Sequence, residues 1–338
     1  MADYASLIPV NVITGFLGSG KTTLLQRLLG SPDMADTAVL INEFGDVALD
    51  HHLLMRADEN TAVLNSGCIC CTIREDLVQA IRSLFSRRER GEIPRFRRLV
   101  IETSGLADPA TIAYTVLSHP VIQHHFRLGN AVTTVDAVNG GVQLVSFPEA
   151  LRQAAMADRI VLTKSDLAEA EACTALRARL GTINPSAPIL DAWTDPVEPG
   201  PLLVDDLYDA KAREGEARRW TQAEGGHAGL VAHPHTEGVA SFSLAFDEPL
   251  NWSAFGIWLT MLLHRHGECV LRVKGVLALA GADLPVAIHG VQHIVHPPVH
   301  LPGWPDGERR SRIVFIVKDL PRERIEASLA VFNRLANP

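Results

Sequence analysis

The hydrophobic pattern divides the chain into two textures. Over roughly the first 190 residues, short apolar runs alternate with helical periods. Strand-like runs cover Pro9–Thr14, Thr37–Asn42, Thr61–Asn65, Arg98–Glu102, Asn130–Asp136, Asp158–Leu162 and Pro188–Asp191. Between them, Thr22–Leu29, Glu75–Arg88, Pro109–Leu117 and Ala168–Leu180 carry apolar residues three and four apart, as one face of a helix requires. Apolar strands separated by helices predict an α/β fold with a doubly wound, mostly parallel sheet. From about Thr194 to Gly238, Pro, Gly, Glu, Asp and His dominate and no long apolar period survives, which reads as a linker with a short helix near Asp205–Arg219. Strands then cluster at Val239–Phe246, Cys269–Ala280, Pro285–His296 and Arg312–Val317, with helices at Trp252–His264 and Arg322–Leu335. That order predicts a second, smaller α+β domain with antiparallel pairing. The expected division is 1–200, a linker at 201–237, and 238–338.

Two domains suit 338 residues, at roughly 150 residues each. A net charge of −8 removes any electrostatic reason to expect nucleic acid or an anionic membrane as partner. Met1 to Asn11 lacks a basic, then apolar, leader pattern, and no run approaches the ~18 apolar residues of a membrane span, so the expected place is the cytoplasm. Five cysteines, three of them within four positions, make no disulfide framework and point instead to metal or redox chemistry.

The first strand runs into Gly15-Phe16-Leu17-Gly18-Ser19-Gly20-Lys21-Thr22-Thr23, a full phosphate-loop pattern. Gly15, Gly18 and Gly20 permit the tight turn that aims successive N–H groups, Ser19's among them, at phosphate oxygens. Lys21 supplies charge to the β/γ-phosphates, Thr22 a hydroxyl for Mg²⁺, and the helix starting there its positive end. A second element is Glu102-Thr103-Ser104-Gly105, at the end of an apolar strand. Glu102, where GTPases usually carry Asp, could hold the Mg²⁺ shell or orient the attacking water, and the Gly105 amide could sense the γ-phosphate. The third is Thr163-Lys164-Ser165-Asp166. Here Asp166 would accept from a guanine's N1–H and N2–H₂, and the Lys164 stem would cover the purine face. Adenine lacks both donors, so GTP and GDP are the expected ligands. Thr163 stands where Asn more usually braces the phosphate loop.

Asn65-Ser66-Gly67-Cys68-Ile69-Cys70-Cys71 places three thiols on one loop. Thiolates at Cys68, Cys70 and Cys71 suit Zn²⁺ or Cu⁺, with a fourth position open to Glu43, a histidine, water or a partner's group. Other histidines are scattered. His227, His233 and His235 fall in the linker. His289, His293, His296 and His300 cannot all converge on a straight strand and read as core or partner-facing residues.

GFLGSGKTT at Gly15–Thr23, Asn42-Glu43-Phe44-Gly45, GCICC at Gly67–Cys71, Glu102–Gly105 and Thr163–Asp166 occur in the order seen in the CobW-like metal-associated GTPases. These are relatives of the nickel-inserting GTPases of urease and hydrogenase maturation. Arg272-Val273-Lys274-Gly275 and the strand at Val291-Gln292-His293 resemble that family's C-terminal domain, so the resemblance spans nearly the whole chain. It implies a low-turnover GTPase and metallochaperone that carries or inserts a transition metal, usually zinc and sometimes cobalt, for a client protein. Under it, Asn42–Gly45 is the switch segment, Cys68, Cys70 and Cys71 are ligands with Glu43 nearby, and a homodimer stays open. Asp46 departs from the Glu of many relatives, and the linker lacks a polyhistidine tract. The competing readings are a zinc-stapled scaffold with a structural nucleotide and a small-molecule P-loop kinase.

Overall fold

In the computed structural model, which describes residues 4–44, 61–66, 72–209, 211–222 and 238–336, apolar residues on both faces of one sheet dictate the first unit. Its elements are β1 (Ile8–Gly15), α1 (Lys21–Leu29), β2 (Thr37–Phe44), β3 (Thr61–Ser66), α2 (Thr72–Glu89), β4 (Arg98–Glu102), α3 (Pro109–Ser118) and β5 (Phe126–Asp136). They continue with α4 (Gly140–Ser146), α5 (Pro148–Met156), β6 (Arg159–Thr163), α6 (Ala170–Ile183) and β7 (Ile189–Asp191). The seven strands run in the order β3-β2-β4-β1-β5-β6-β7, every neighbouring pair parallel.

Successive residues of a strand point to opposite faces, and here both faces are covered. Val12, Leu40, Leu99 and Ile101 pack with Leu77, Ile81 and Leu84 of α2 and Ile112 and Val116 of α3. Their neighbours Ile13, Val39, Ile41 and Val100 pack with Leu24, Leu25 and Leu28 of α1. Near-continuous apolar strands are what a doubly covered parallel sheet demands. The crossovers from β1 lead to β2, two places away on one side, and the chain reaches β5 only on the other side of β1. The carboxyl end of β1 therefore lies where the winding reverses, the usual place for a ligand crevice in such sheets. β5 begins at Phe126, four residues before the expected strand. α4 and α5 escaped the sequence reading because Gly140, Gly141 and Pro148 punctuate their periods.

The described residues group into two compact units, Met1–Ala178 with Ala187–Val204, and Arg179–Ser186 with Asp205–Pro338. At the expected start of the linker, Leu202 and Leu203 are buried in the first unit's core. The Pro201 carbonyl accepts from Arg159 Nε and the Leu202 carbonyl from Asn130 Nδ2. The short helix expected near Asp205–Arg219 forms as α7 (Arg213–Gln222), with Ala217 and Trp220 buried. Residues 223–237, with His227, His233 and His235, lie outside the described residues. No helix among the described residues is long and apolar enough to cross a membrane.

The second unit adds β8 (Val239–Phe246), α8 (Trp252–His266), β9 (Val270–Leu277), β10 (Val286–Val291), β11 (Ile294–Val295), β12 (Val299–His300), β13 (Ser311–Lys318) and α9 (Arg322–Ala336). The strand order is β11-β10-β9-β13-β8, antiparallel throughout, with β12 beside β10. Val273, Ile313 and Phe315 face α8 and α9 through Phe255, Trp258, Leu259, Ile325 and Leu329. The run Pro285–His296, expected as one strand, reverses at Gln292, whose φ is 49°. The reversal sets His296 opposite His289 with ring centroids 3.6 Å apart.

Trp258 is the largest fully buried side chain of this core, and its Nε1 donates to Ser328 Oγ at 2.9 Å. Trp258→Ala should destabilise the second unit by about 3–5 kcal/mol in urea titration. Trp258→Phe, which keeps most of the volume, should cost clearly less. Equal losses would mean that the hydrogen bond, rather than the filled volume, holds α8 to α9.

Candidate nucleotide site

Four strand ends meet at one edge of the first sheet: Gly15 of β1, Glu102 of β4, Asp136 of β5 and Thr163 of β6. β1 gives way to α1 through a loop whose glycines take left-handed backbone angles, Gly18 at φ 70° and Gly20 at φ 87°. Gly15 is required for another reason as well. A Cβ there would stand 2.3 Å from Thr134 Oγ1 and 2.7 Å from Ser19 Oγ. Lys21 opens α1, is largely buried, and turns its ammonium back onto the Gly15 and Phe16 carbonyls at 3.0 and 3.1 Å. Thr22, next on the helix, donates to Glu102 Oε1 at 2.6 Å, and Glu102 is 3% exposed. This pairing joins the two groups that the sequence assigned to one Mg²⁺, and a hydroxyl beside a carboxylate is the all-oxygen donor set that ion prefers. A Cβ on Gly105 would stand 2.7 Å from the Leu17 backbone, so this glycine lets the segment after β4 touch the phosphate loop. Gln153 of α5 holds that segment from behind, donating to the Gly105 and Ala107 carbonyls at 3.1 Å.

The third predicted element reaches the same loop. Thr163 Oγ1 donates towards the Ser19 carbonyl at 2.8 Å and lies 3.2 Å from that of Val135. Threonine thus does the bracing expected of asparagine, with a single proton to share between two acceptors. Lys164, at φ 57°, donates to the Gly18 carbonyl at 2.7 Å and to Asp136 Oδ2 at 2.8 Å. Its stem consequently spans from the β6 turn to the phosphate loop. Asp166 is exposed at the tip of that turn.

Two acids here were not singled out from sequence. Asp136 is 1% exposed and also accepts from the backbone N–H of Val138 and Asn139 and from Asn139 Nδ2. Burial pushes its pKa up, but the Lys164 and Asn139 side chains and the two backbone N–H groups outweigh that and hold it below the ordinary carboxylate value. Asp191, at the end of β7, accepts from Ser165 Oγ, from the Trp193 N–H at 3.0 Å and from Arg177 Nη2 at 2.8 Å. Those donors likewise overcome its burial and lower its pKa. The signal that marked Glu102, an acid closing an apolar strand, was present at both positions.

The metal-ligand candidates fall elsewhere. Cys68, Cys70 and Cys71 lie outside the described residues, as does the Glu43 side chain. Among the described residues, no three His, Cys, Asp or Glu side chains group as a metal site. The strand that precedes these cysteines in sequence is described as far as Ser66. β2 pairs with β4 through Ile41 and Glu102, and with β3 through Glu43 and Asn65 and through Phe44 and Ser66. Ser66, the last described residue of β3, therefore ends at the same sheet edge as Glu102, two strands away.

Comparison with known proteins places this geometry. The CobW/HypB/UreG nucleotide-binding domain matches residues 9–191, and the cobalamin synthesis protein CobW C-terminal domain matches residues 239–333. The zinc chaperone YjiA of Escherichia coli K12 is 34% identical over 331 residues, covering 96% of this chain and 98% of its own. The zinc chaperone CobW of Pseudomonas aeruginosa is 29% identical over 356 residues, covering 95% and 90%. The crystal structure of Zn(II)-bound YjiA GTPase from E. coli superposes with a TM-score of 0.71 at 29% identity, covering 96% of this chain and 99% of that one.

The lowered pKa of Asp136 has a signed consequence. A carboxylate whose folded pKa lies below its unfolded one adds stability above the unfolded value and loses it as pH falls through the folded one. Asp136→Asn should therefore be less stable than wild type at pH 7, and the gap should narrow as pH drops below about 4. Urea unfolding at pH 7 and pH 3 reads this directly. A gap that does not change with pH would remove the Lys164–Asp136 pairing from the account.

Proposed function

The chain belongs to the CobW/HypB/UreG family and is a GTPase, and from that premise we propose that it binds a transition metal, zinc first, at Cys68, Cys70 and Cys71 and delivers it to a client protein under control of the GTP/GDP state. The observation that supports this reading is the β3-β2-β4 register, which ends β3 at Ser66, just before the cysteines in sequence, on the sheet edge where Glu102 meets Thr22.

In this reading the N–H groups of the loop from Gly15 to Lys21 bind the phosphate oxygens. Lys21 exchanges the Gly15 and Phe16 carbonyls for the β/γ-phosphates. Thr22 and Glu102 are the groups that would hold Mg²⁺, which when bound neutralises charge building on the phosphates. In this reading Glu102 also orients the attacking water, and the Gly105 amide senses the γ-phosphate. At the other end of the site Asp166 accepts from guanine's N1–H and N2–H₂, and the Lys164 stem covers the base. The Gly18 carbonyl receives Lys164 while the same loop holds the phosphates, so base and phosphate recognition share one rigid element.

In switch GTPases hydrolysis removes the phosphate that orders the switch segments, and in this reading Asn42–Gly45 is one of them. A thiolate site with its fourth position open to Glu43 would then gain or lose that ligand with the nucleotide. Zinc named in two relatives supports zinc as the cargo here.

Competition titration with a zinc chelator tests the assignment. Cys70→Ser should lose high-affinity zinc while binding GTP within about threefold of wild type, whereas Lys21→Ala should lose GTP and keep zinc. Wild type stripped of zinc should keep its cooperative unfolding, because a cargo site empties without loss of fold. Unfolding on chelation would make the metal a structural staple, and undiminished zinc affinity in Cys70→Ser would refute the ligand assignment.

A further inference from the structure

Beside the base-binding turn stands a tryptophan that none of the motifs accounts for. Trp193 is 70% exposed, whereas Trp220 and Trp258 are 4% and 2% exposed. One exposed apolar side chain alone means nothing. What sets Trp193 apart is how firmly its backbone is held while its indole is left in solvent. The Trp193 N–H donates to Asp191 Oδ1 at 3.0 Å. On one side, the Ala192 N–H bonds the Leu162 carbonyl at 2.8 Å, and the Ala192 carbonyl accepts from Arg27 of α1. On the other, Asp195 is tied to Asp191 twice, its N–H to the Asp191 carbonyl at 2.9 Å and its Oδ2 to the Asp191 N–H at 2.7 Å.

The position of this turn is equally constrained. The oxygen that accepts from the Trp193 N–H also accepts from Ser165 Oγ, so the two residues are anchored to a single atom. Ser165 lies between Lys164, whose stem runs along the site to Gly18, and the exposed Asp166. Arg177 fixes the other Asp191 oxygen, so the buried carboxylate cannot swing and carry the turn away.

We infer that Trp193 is an affinity- and specificity-determining residue that stacks its indole on the purine of the bound guanine nucleotide, on the face away from the Lys164 stem. The inference rests on the assignment of Thr163–Asp166 as the base-binding turn and adds a second wall to that pocket. Lys164 supplies a flexible alkyl wall already committed at its tip, and Asp166 reads only the base edge. An indole on a fixed backbone supplies the missing planar surface at little cost in side-chain order, since a tryptophan has only two rotatable side-chain bonds. Stacking favours any purine, so Trp193 raises affinity while Asp166 selects guanine.

The test uses the full chain and three probes, GDP, ADP and inorganic triphosphate. Trp193→Ala should weaken GDP about 5- to 150-fold, the range that base–aromatic stacking spans, while triphosphate affinity stays within about twofold. Trp193→Phe should recover most of the loss, and GDP should change the tryptophan emission of wild type but not of Trp193→Phe. Unchanged thermal unfolding in both variants would exclude a merely structural effect. Trp193→Ala binding GDP within twofold of wild type overturns the inference. Asp166→Asn, titrated in parallel, locates that failure. If it loses the preference for GDP over ADP, the stacking inference falls alone; if it keeps the preference, the base-binding turn falls with it.

Discussion

The Lys164 ammonium, shared between the buried Asp136 carboxylate and the Gly18 carbonyl, ties together three pieces of the candidate nucleotide site. Asp136 closes β5, Lys164 follows β6, and Gly18 is the crown of the loop after β1. Parallel strands arrive at their carboxyl edge with free loops, and nothing in the sheet's own hydrogen bonding sets the distance from one loop to the next. A charged hydrogen bond from the half-exposed Lys164 to a buried carboxylate does so, and burial that would otherwise favour neutral Asp136 is overcome by four donors. The Thr163–Ser19 contact repeats the tie one residue earlier, and the Ser165–Asp191 contact extends it to β7. The site is thus a chain of side-chain bonds laid across four neighbouring strands.

The alternation of apolar runs and helical periods was sufficient to read the α/β sheet, since strands covered on both faces must be apolar throughout and leave a plain signal. The phosphate loop was equally legible, because its glycines serve local needs, a left-handed φ at Gly18 and Gly20 and the lack of room at Gly15. Asp136 and Asp191 were passed over for the opposite reason. Their roles depend on which strands become neighbours, and an acid at a strand's end reads the same whether it faces solvent or a lysine from the next strand. The Gln292 reversal was hidden in the same way. Pro285–His296 alternates well enough for one strand, and only a left-handed residue at its middle brings His289 and His296 together. Leu202, Leu203 and Val204 were three apolar residues in a polar stretch, too short a pattern to show docking.

The two sides of the proposed activity meet through backbone geometry. Glu102 belongs to the strand next to β2, and β2 runs beside the strand that leads into Gly67 and Cys68. If the cysteines that follow Ser66 in sequence hold the metal as proposed, the nucleotide and metal groups are joined through neighbouring strands of one sheet. This is why nucleotide and metal are proposed to be thermodynamically linked, and linkage is reciprocal: each ligand must alter the other's affinity by the same factor.

That factor is the direct measure of the account. Zinc affinity of the wild-type chain, read against a competing chelator with Mg²⁺ and either a slowly hydrolysed GTP analogue or GDP, should differ by about 5- to 150-fold, tighter with the GTP analogue. The reverse titration, of nucleotide in the presence and absence of zinc, should return the same ratio. Zinc affinities equal within about twofold in the two nucleotide states would contradict it, leaving a GTPase and a metal site that share a sheet edge but no mechanism.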